Sequence, residues 1–279
     1  MPRLPDGTPS PGLLGRVLII AGSDSGGGAG IQADIKTVTA LGGYAMTAIT
    51  ALTAQNTQGV FGIHDVPPEF VAQQIELTLG DIGADCIKIG MLHRPEIIAT
   101  VSATLDCWAP ETPIVVDPVM VAKGGHPLLK DDAVDTLRTL LVPMAAVLTP
   151  NLPEADALAG SGELADLDLA ERLLALGPRA VLLKGGHGEG PVVRDVLARR
   201  DGPPEVFYSP REHTRHTHGT GCTLASAIAV SLAQGLNVRA AVVRARAYVV
   251  EAMRRAPGFG AGHGPLNHAH TVRPFFPKE

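Results

Sequence analysis

The fold class is indicated by one stretch near the amino terminus, Val17-Leu-Ile-Ile-Ala-Gly-Ser-Asp-Ser-Gly-Gly-Gly-Ala-Gly30. Its first five residues form a short, unbroken apolar run, which is typical of a strand buried on both faces. Apolar residues then recur at helical spacing from Ile31 to Leu41, where Gly42-Gly43 ends the pattern. The chain therefore begins with a strand, a glycine-rich loop and a helix, which is the first unit of a parallel α/β sheet.

The same alternation of apolar runs and helical periodicity continues along the chain. Further buried strands are predicted at residues 45–50, 86–90, 114–117, 146–149 and 180–184. Helices are predicted at residues 31–41, 69–79, 95–105, 131–141, 167–176, 223–234 and 238–253. Residues 192–197 and 206–208 flank a turn and predict an antiparallel hairpin at a sheet edge. We expect a three-layer α/β/α fold with a mostly parallel central sheet.

Composition limits the class of protein. The chain has 279 residues, of which 45% are hydrophobic and 18% charged, so it can bury a large core and disorder is excluded over most of its length. No linker separates the predicted elements, and we expect one domain at residues 15–279 after a mobile tail at residues 1–14. The net charge of -5 and the lack of a basic run argue against a nucleic-acid partner. The long uncharged stretch at residues 37–63 is interrupted by glycine and glutamine, so no membrane partner is expected.

The three cysteines are too few and too scattered for a disulfide framework. Their odd number fits a reducing compartment, and we expect a cytoplasmic protein. Cys86 and Cys107 are expected to be small buried hydrophobic residues. Cys222 differs from both, because it follows a glycine-rich loop.

Two glycine-rich loops follow or precede predicted elements at places where parallel sheets bind ligands. The loop at residues 22–30 is not a Walker phosphate loop, because no lysine follows its glycines. It is also a weak dinucleotide motif, since no acidic residue lies between Lys36 and His64. Two interpretations stay open: a flexible turn, or a glycine wall that lets a small ligand approach the backbone, with Asp34 one turn into the helix.

The second loop, His218-Gly-Thr-Gly-Cys222, directly precedes a helix whose first turns are small and apolar. Glycines at a helix start free backbone N–H groups to bind one anion, and the helix dipole adds to the attraction. This arrangement suits a phosphoryl group in transfer. The alternative is an ordinary glycine-rich helix start. Cys222 favours the first interpretation, because a thiol at this end of a helix has a lowered pKa and can serve as a base.

These motifs belong to a longer ordered set that covers nearly the whole chain. Its first half is Ile20-Ala-Gly-Ser-Asp24, Gly27-Gly-Ala-Gly-Ile-Gln-Ala-Asp34, Ile49-Thr-Ala-Leu52 and Ala54-Gln-Asn-Thr57. Its second half is Lys88-Ile-Gly-Met91, Val116-Asp-Pro-Val-Met120, Thr149-Pro-Asn-Leu-Pro-Glu-Ala155, Leu183-Lys-Gly-Gly-His187 and Thr217-His-Gly-Thr-Gly-Cys222. The set resembles the hydroxymethylpyrimidine/phosphomethylpyrimidine kinases of thiamine biosynthesis, in the ribokinase-like superfamily.

The resemblance implies ATP-dependent phosphorylation of 4-amino-5-hydroxymethyl-2-methylpyrimidine, followed by phosphorylation of the monophosphate to the diphosphate. It makes Gln55 the residue that recognises the pyrimidine, because a side-chain amide can accept from the exocyclic amine and donate to the adjacent ring nitrogen. The residues implied around the ring are Gly22, Asp34, Met91 and Val119. The alternative for Gln55-Asn56, an ordinary pair of turn residues, stays open.

The resemblance also implies how phosphoryl transfer is organised. Cys222 would remove the proton of the substrate hydroxyl, while the backbone amides of the loop hold the phosphoryl group; the loop residues are Gly219, Thr220 and Gly221. The residues implied for the nucleotide are Lys184, Asn151, Glu154 and Thr217. Asp117 and Glu154 are implied for Mg²⁺, a cation that prefers carboxylate oxygen. ATP and Mg²⁺ are the expected cofactors, and a homodimer is the expected assembly.

One position departs from the family pattern, which often has lysine where this chain has Arg246. Arginine keeps the charge but not the reach or the geometry, so a phosphate contact of Arg246 is in doubt.

Three other functions stay open. Pyridoxal kinase is the nearest, although pyridoxal lacks the amine and adjacent ring nitrogen that Gln55 would recognise. A cysteine hydrolase pairing Cys222 with His216 or His218 would need no ATP. A pyrimidine sensor would bind its ligand without releasing ADP. A zinc site at His213, His216 and His218 is less favoured, because these residues have no nearby cysteine pair.

Overall fold

The computed structural model describes residues 15–122, 124–130, 132–160, 164–188 and 190–273. In these residues nine strands form one sheet, in the order β3-β2-β1-β4-β5-β6-β7-β8-β9. The strands are β1 (Arg16–Asp24), β2 (Tyr44–Gln55), β3 (Val60–Asp65), β4 (Cys86–Ile89), β5 (Ile114–Val116), β6 (Val147–Leu148), β7 (Ala180–Leu183), β8 (Val192–Arg199) and β9 (Gly202–Pro210). The predicted tail at residues 1–14 lies outside the described residues.

The centre of the sheet is parallel and its edges are antiparallel. Neighbouring strands from β2 to β7 pair in parallel, whereas β3 pairs antiparallel with β2, and β8 pairs antiparallel with β7 and β9. The side chains of β1 from Val17 to Ile20 are 0% exposed, as expected for a strand with helices on both sides. The prediction of a mostly parallel sheet with an antiparallel edge hairpin is confirmed.

Helices cover both faces of the sheet. They are α1 (Gly30–Ala40), α2 (Pro68–Asp81), α3 (Pro95–Trp108), α4 (Ala133–Thr136), α5 (Leu152–Ala159), α6 (Asp166–Leu174), α7 (Thr220–Ala233) and α8 (Val238–Arg254). Helices α1, α7 and α8 pack with Val17 and Ile19 of β1, whereas α2 to α6 pack on the face of Leu18 and Ile20. This is the expected three-layer arrangement.

Strand β3 is not predicted by the sequence pattern. It lies at the edge opposite the hairpin, and Phe61, Gly62 and His64 are exposed, so the strand lacks a clear apolar alternation. Strand β2 is longer than predicted and continues to Gln55. Gln55 therefore lies at the end of a strand and not in a turn.

Two helical segments also differ from the prediction. Helix α5 has no strong periodicity, but its start carries a capping box, in which Asn151 accepts from the Glu154 N–H at 2.9 Å and Glu154 accepts from the Asn151 N–H at 2.8 Å. The helix predicted at residues 131–141 is α-helical only at Ala133–Thr136, and a π turn at Leu137–Leu141 follows it. Residue 131 lies outside the described residues.

Cys86 and Cys107, both predicted to be buried hydrophobic residues, differ in their exposure to solvent. Cys86 is buried as predicted, but Cys107 is exposed, so that part of the prediction is wrong. The reason is its place on α3, whose buried face carries Ile97, Val101 and Leu105 and leaves Cys107 on the solvent side. No helix among the described residues combines the length and the apolar character that a membrane crossing requires.

Candidate active site

A cavity of about 940 Å³ opens at the carboxyl ends of the parallel strands and at the start of α7. This size is within the usual range for small-molecule sites. Thirteen of the fourteen predicted site residues line it: Gly22, Gln55, Met91, Asp117, Val119, Asn151, Glu154, Lys184, Thr217, Gly219, Thr220, Gly221 and Cys222. The predicted residues come together because each lies near the carboxyl end of a strand or near the start of α7, and these ends meet at one edge of the sheet.

The start of α7 requires its glycine. Gly219 has a φ of +84°, and a Cβ there would lie 1.9 Å from the carbonyl oxygen of Gly28 in the first glycine loop. The two glycine-rich loops therefore pack directly against each other. The next residues, Gly221 and Cys222, lie in the first turn of α7, where N–H groups have no partner within the helix. These N–H groups can bind an anion, as the sequence predicts.

Charged side chains face this turn from β5 and β7. Lys184 Nζ lies 2.9 Å from Asp117 Oδ1 and 3.9 Å from Glu154 Oε2. A Cβ on Gly221 would lie 3.3 Å from Asp117 Oδ2, so the helix start and the carboxylate are in close proximity. Burial raises the pKa of Glu154 to about 7, although the charge of Lys184 opposes this shift. This part of the cavity thus combines a helix start whose first N–H groups have no partner in the helix with the ammonium group of Lys184 and two carboxyl groups.

The predicted low pKa of Cys222 is wrong. Burial raises the pKa of the Cys222 thiol to about 12, and the positive charge of Lys88 only partly offsets this effect. The negative charges of Asp34 and Asp117 raise it further, while the N–H of Gly30 lowers it. The position at a helix start favours the thiolate, but the loss of water around the thiol outweighs this effect.

Asp34 does not line the cavity, contrary to its predicted place around the ring. It is 0% exposed and lies below the cavity, where Oδ2 accepts from Lys88 Nζ at 2.8 Å and Oδ1 accepts from Ser226 Oγ at 2.7 Å. Lys88 is also 0% exposed, yet it lines the cavity. Burial opposes the charge of Lys88, but Asp34 holds the pKa of this ammonium above its usual value. Asp34 thus contacts the site through Lys88.

A second pair that the sequence does not predict is formed by Asp24 and His218. His218 Nε2 lies 2.8 Å from Asp24 Oδ2, and Asp24 also accepts from the N–H groups of Gly26, Gly28 and Ala29. Burial alone would raise the pKa of Asp24, but these hydrogen bonds outweigh it and hold the pKa below its ordinary value. Asp24 is therefore a carboxylate, and His218 Nε2 carries a hydrogen.

This pair bears on the alternative roles of the histidines. His218 Nε2 is bonded to Asp24 and not to Cys222, which does not support a hydrolase dyad. Within the described ranges, no three His, Cys, Asp or Glu side chains are grouped as metal ligands. The signal for the pair is present in the sequence, because Asp24 and His218 belong to two of the family motifs.

Gln55 lies at the other side of the cavity from Lys184, at the end of β2. Its Nε2 is 3.4 Å from His218 Nε2, and its Oε1 is 3.1 Å from Thr53 Oγ1. Because His218 Nε2 donates to Asp24, it cannot also accept from the Gln55 amide. The amide N–H₂ of Gln55 is therefore available to a ligand.

The mostly parallel sheet with a cavity at its strand ends is the fold of the ribokinase-like kinases of small molecules, which it shares with solved pyridoxal kinases. A family model described as phosphomethylpyrimidine kinase matches residues 24–267. The chain belongs to the phosphomethylpyrimidine kinase family.

Individual relatives are similar over most of the chain. A thiamine biosynthesis bifunctional protein of Geobacter sulfurreducens is 52% identical, covering 91% of this chain and 52% of that protein, so the chain spans about half its length. A hydroxymethylpyrimidine/phosphomethylpyrimidine kinase of Streptomyces coelicolor is 48% identical over 92% of this chain and 95% of its own. An ADP complex of Bacillus subtilis pyridoxal kinase has 34% identity and a TM-score of 0.84, covering 92% of this chain and 98% of that one.

Proposed function

We propose that this chain uses ATP to phosphorylate 4-amino-5-hydroxymethyl-2-methylpyrimidine and then its monophosphate, in thiamine biosynthesis. The observation that carries the proposal is that one cavity contains both Gln55 and the start of α7. A substrate bound by the first can present its hydroxyl to a phosphoryl group bound by the second. Family membership and the name of the Streptomyces relative support the same activity.

The pyrimidine binds at the β2 end of the cavity. Gln55 donates its free N–H₂ to a ring nitrogen and accepts from the exocyclic amine through Oε1. Met91 and Val119 supply apolar surface for the ring, and Gly22 leaves space for it beside the Met91 sulfur, which a Cβ at position 22 would approach to 3.0 Å. A ring without the amine and nitrogen pair leaves the amide of Gln55 unpaired, and this mismatch gives the site its selectivity.

Cys222 accepts the proton of the substrate hydroxyl as its oxygen attacks the γ-phosphorus and ADP leaves. The N–H groups of Gly221 and Cys222 hold the phosphoryl oxygens, on which charge is spread during transfer. Burial keeps the pKa of Cys222 at about 12 even though the charge of Lys88 lowers it, and a thiolate there depends on that charge. We assign Lys88 the role of a counter-ion that positions no substrate atom itself.

The nucleotide phosphates bind beside Lys184, with Asn151, Glu154 and Thr217 around them. Asp117 and Glu154 would hold Mg²⁺. Two buried carboxyl groups, both within 4 Å of one ammonium, fit a cation that keeps several waters and takes phosphate oxygens as further ligands. When bound, Mg²⁺ neutralises charge on the transferred and leaving phosphates. The adenine base of ATP lies farther along the cavity, between the hairpin and α8, against Val193, Val249 and Met253.

A coupled assay for ADP release tests the proposal, with hydroxymethylpyrimidine, its monophosphate and pyridoxal as acceptors. We expect ADP release with both pyrimidines and slower turnover with pyridoxal, which leaves Gln55 unpaired. Faster turnover of pyridoxal would assign the chain as a pyridoxal kinase. Thermal stabilisation by the pyrimidine without ADP release would instead assign a sensor.

The same assay tests Cys222. The Cys222→Ala variant should lose turnover by roughly 10² to 10⁴-fold while ATP still binds, because it removes a general base. Cys107→Ala is the matched control, since this thiol is exposed on α3 and lies outside the cavity. Equal turnover of the two variants would exclude Cys222 as the base.

We further propose a cytoplasmic homodimer. At the edge formed by β2 and β3, Leu52 is 46% exposed and Phe61 is 72% exposed, and a second copy would cover these apolar side chains. A monomeric mass by light scattering at micromolar concentration would contradict this assembly.

A further inference from the structure

Asp195 joins two elements at the nucleotide end of the cavity. It lies on β8 and is 8% exposed, and both of its carboxylate oxygens accept hydrogen bonds. Oδ1 accepts from the N–H of Gly185 at 2.9 Å, and Oδ2 accepts from Arg246 Nε at 2.7 Å. One buried carboxylate therefore links helix α8 to the loop that follows β7.

The guanidinium of Arg246 is held from more than one side. Its plane lies over the ring of Phe207 on β9, with 5.1 Å from Cζ to the ring centroid. A second nitrogen lies 3.4 Å from Ser209 Oγ, and the side chain is only 15% exposed. A planar group that stacks and donates in two directions suits this place, and a lysine ammonium cannot reproduce it.

The loop after β7 also packs against the backbone of β8. A Cβ on Gly185 would lie 1.9 Å from the carbonyl oxygen of Arg194, so the backbone of Gly185 packs directly on that strand. Lys184 precedes Gly185 and reaches Asp117 at 2.9 Å. The position of the Lys184 ammonium thus depends on a loop whose next N–H is fixed by Asp195.

We propose that Asp195 and Arg246 form a clamp that positions Lys184 and the Gly185-Gly186 backbone for the nucleotide. In this chain Arg246 acts through Asp195 and is a positioning residue, not a ligand of phosphate. The proposal rests on the proposed use of ATP at this end of the cavity. The arginine at position 246 thus has its own acceptor, Asp195.

Four variants test the clamp: Arg246→Met, Arg246→Lys, Asp195→Asn and the double variant Asp195→Asn/Arg246→Met. We expect Arg246→Met to weaken ADP binding about tenfold, the typical effect of losing a hydrogen bond between charged groups. Arg246→Lys keeps the charge but should not restore binding. Asp195→Asn keeps an acceptor for the Gly185 N–H and should show a similar loss. The double variant has no unpaired buried charge and should bind ADP no more weakly than either single variant.

The readouts separate positioning from general damage. The dissociation constant of ADP is measured by calorimetry, and KM is measured for ATP and for the pyrimidine. We expect KM for ATP to rise in each variant, with KM for the pyrimidine changed less than about twofold, because the β2 end is remote from the clamp. Arg239→Met is the matched control: Arg239 on α8 also pairs with the hairpin, at 2.6 Å from Glu205, but outside the cavity. It should leave ADP binding unchanged.

Several results would overturn the clamp. Wild-type affinity in Arg246→Lys would mean that the position needs only a positive charge. Additive losses in the double variant would mean that Asp195 and Arg246 act independently. An equal loss of ADP affinity in Arg239→Met would mean that the variants weaken binding only by destabilising the fold. If wild-type protein fails to bind ADP, the proposed function fails with the clamp, whereas normal wild-type binding with unaffected variants overturns the clamp alone.

Discussion

The thiol of Cys222 and the ammonium group of Lys88 line the same cavity. They are linked through Ser226 of α7, which shares a hydrogen-bond acceptor, Asp34, with Lys88. Ser226 lies one turn after Cys222, so the two side chains share that face. Ser226 donates to one oxygen of Asp34 at 2.7 Å, and Lys88 donates to the other at 2.8 Å. The ion pair between Lys88 and Asp34 is thus placed within about one helical turn of the proposed base.

This arrangement predicts opposite effects for the two members of one ion pair. In a Cys107→Ser background, Lys88→Met should slow the alkylation of Cys222 by iodoacetamide at a fixed alkaline pH, because it removes the charge that favours the thiolate. Asp34→Asn should accelerate it, because it removes a negative charge that raises the pKa of Cys222. In each variant the rate follows the thiolate fraction and rises with pH.

The sign of the change separates this role from a structural one. If the ion pair only supports the fold, both substitutions loosen the packing around α7 and expose the thiol, so both accelerate alkylation. Lys130→Met is the control, since Lys130 is exposed and does not line the cavity. Faster alkylation in Lys88→Met than in the control would contradict the counter-ion role.

Helix α7 has a glycine at each end, and the physical reason why glycine is needed differs between the two positions. Gly219 has a φ of +84°, and a Cβ there would lie 1.9 Å from the carbonyl oxygen of Gly28. Gly235 has a φ of +87°, but no atom lies within 4 Å of its Cβ position. The first glycine is required by contact between the two loops, whereas the second is required only by its backbone conformation.

We therefore predict unequal costs for the two alanine substitutions. Gly235→Ala should lower the free energy of unfolding by about 1–2 kcal/mol, the cost of a left-handed residue, and keep normal turnover. Gly219→Ala should cost more than about 3 kcal/mol or shift the loop, and turnover should be lost, because the N–H groups of Gly221 and Cys222 move with it. Chemical denaturation and ADP release measure both quantities. Similar turnover in the two variants would contradict the role given to the start of α7.

At the scale of elements, local patterns predict the centre of the fold well. The apolar run of β1 and the helical periodicity of α1 identify the first unit, and strand ends identify most of the site, because these signals depend on neighbouring residues. Strand β3 could not be predicted, because it lies at an exposed edge and its residues do not alternate between apolar and polar. Helix α5 has no strong periodicity, although the capping box of Asn151 and Glu154 is a signal that could have located it.

Pairings between distant residues could not be predicted from local patterns. Asp24 and His218 are 194 positions apart, and Asp34 and Lys88 are 54 apart. The high pKa of Cys222 has the same origin, since burial by other elements determines it. The sequence predicts a set of residues of which all but Asp34 line one cavity, but it does not give their partners.

In the whole molecule, the order of the strands separates the two ends of the cavity at which we propose that the pyrimidine and the nucleotide bind. Gln55 ends β2 and Lys184 follows β7, and five strand spacings separate these strands in the sheet. At about 4.8 Å per spacing the separation is about 24 Å, which gives space for a nucleotide and a pyrimidine placed end to end. The start of α7 lines the same cavity, and we propose that the two substrates meet there.

A crystal structure of the protein with hydroxymethylpyrimidine and a non-hydrolysable ATP analogue tests this arrangement most directly. We expect the Gln55 side chain to pair with the amine and the ring nitrogen and the γ-phosphate to contact the N–H groups of Gly221 and Cys222. We also expect the substrate hydroxyl to lie within hydrogen-bond distance of Cys222 Sγ. A nucleotide bound away from the start of α7, or a pyrimidine bound without contact to Gln55, would contradict it.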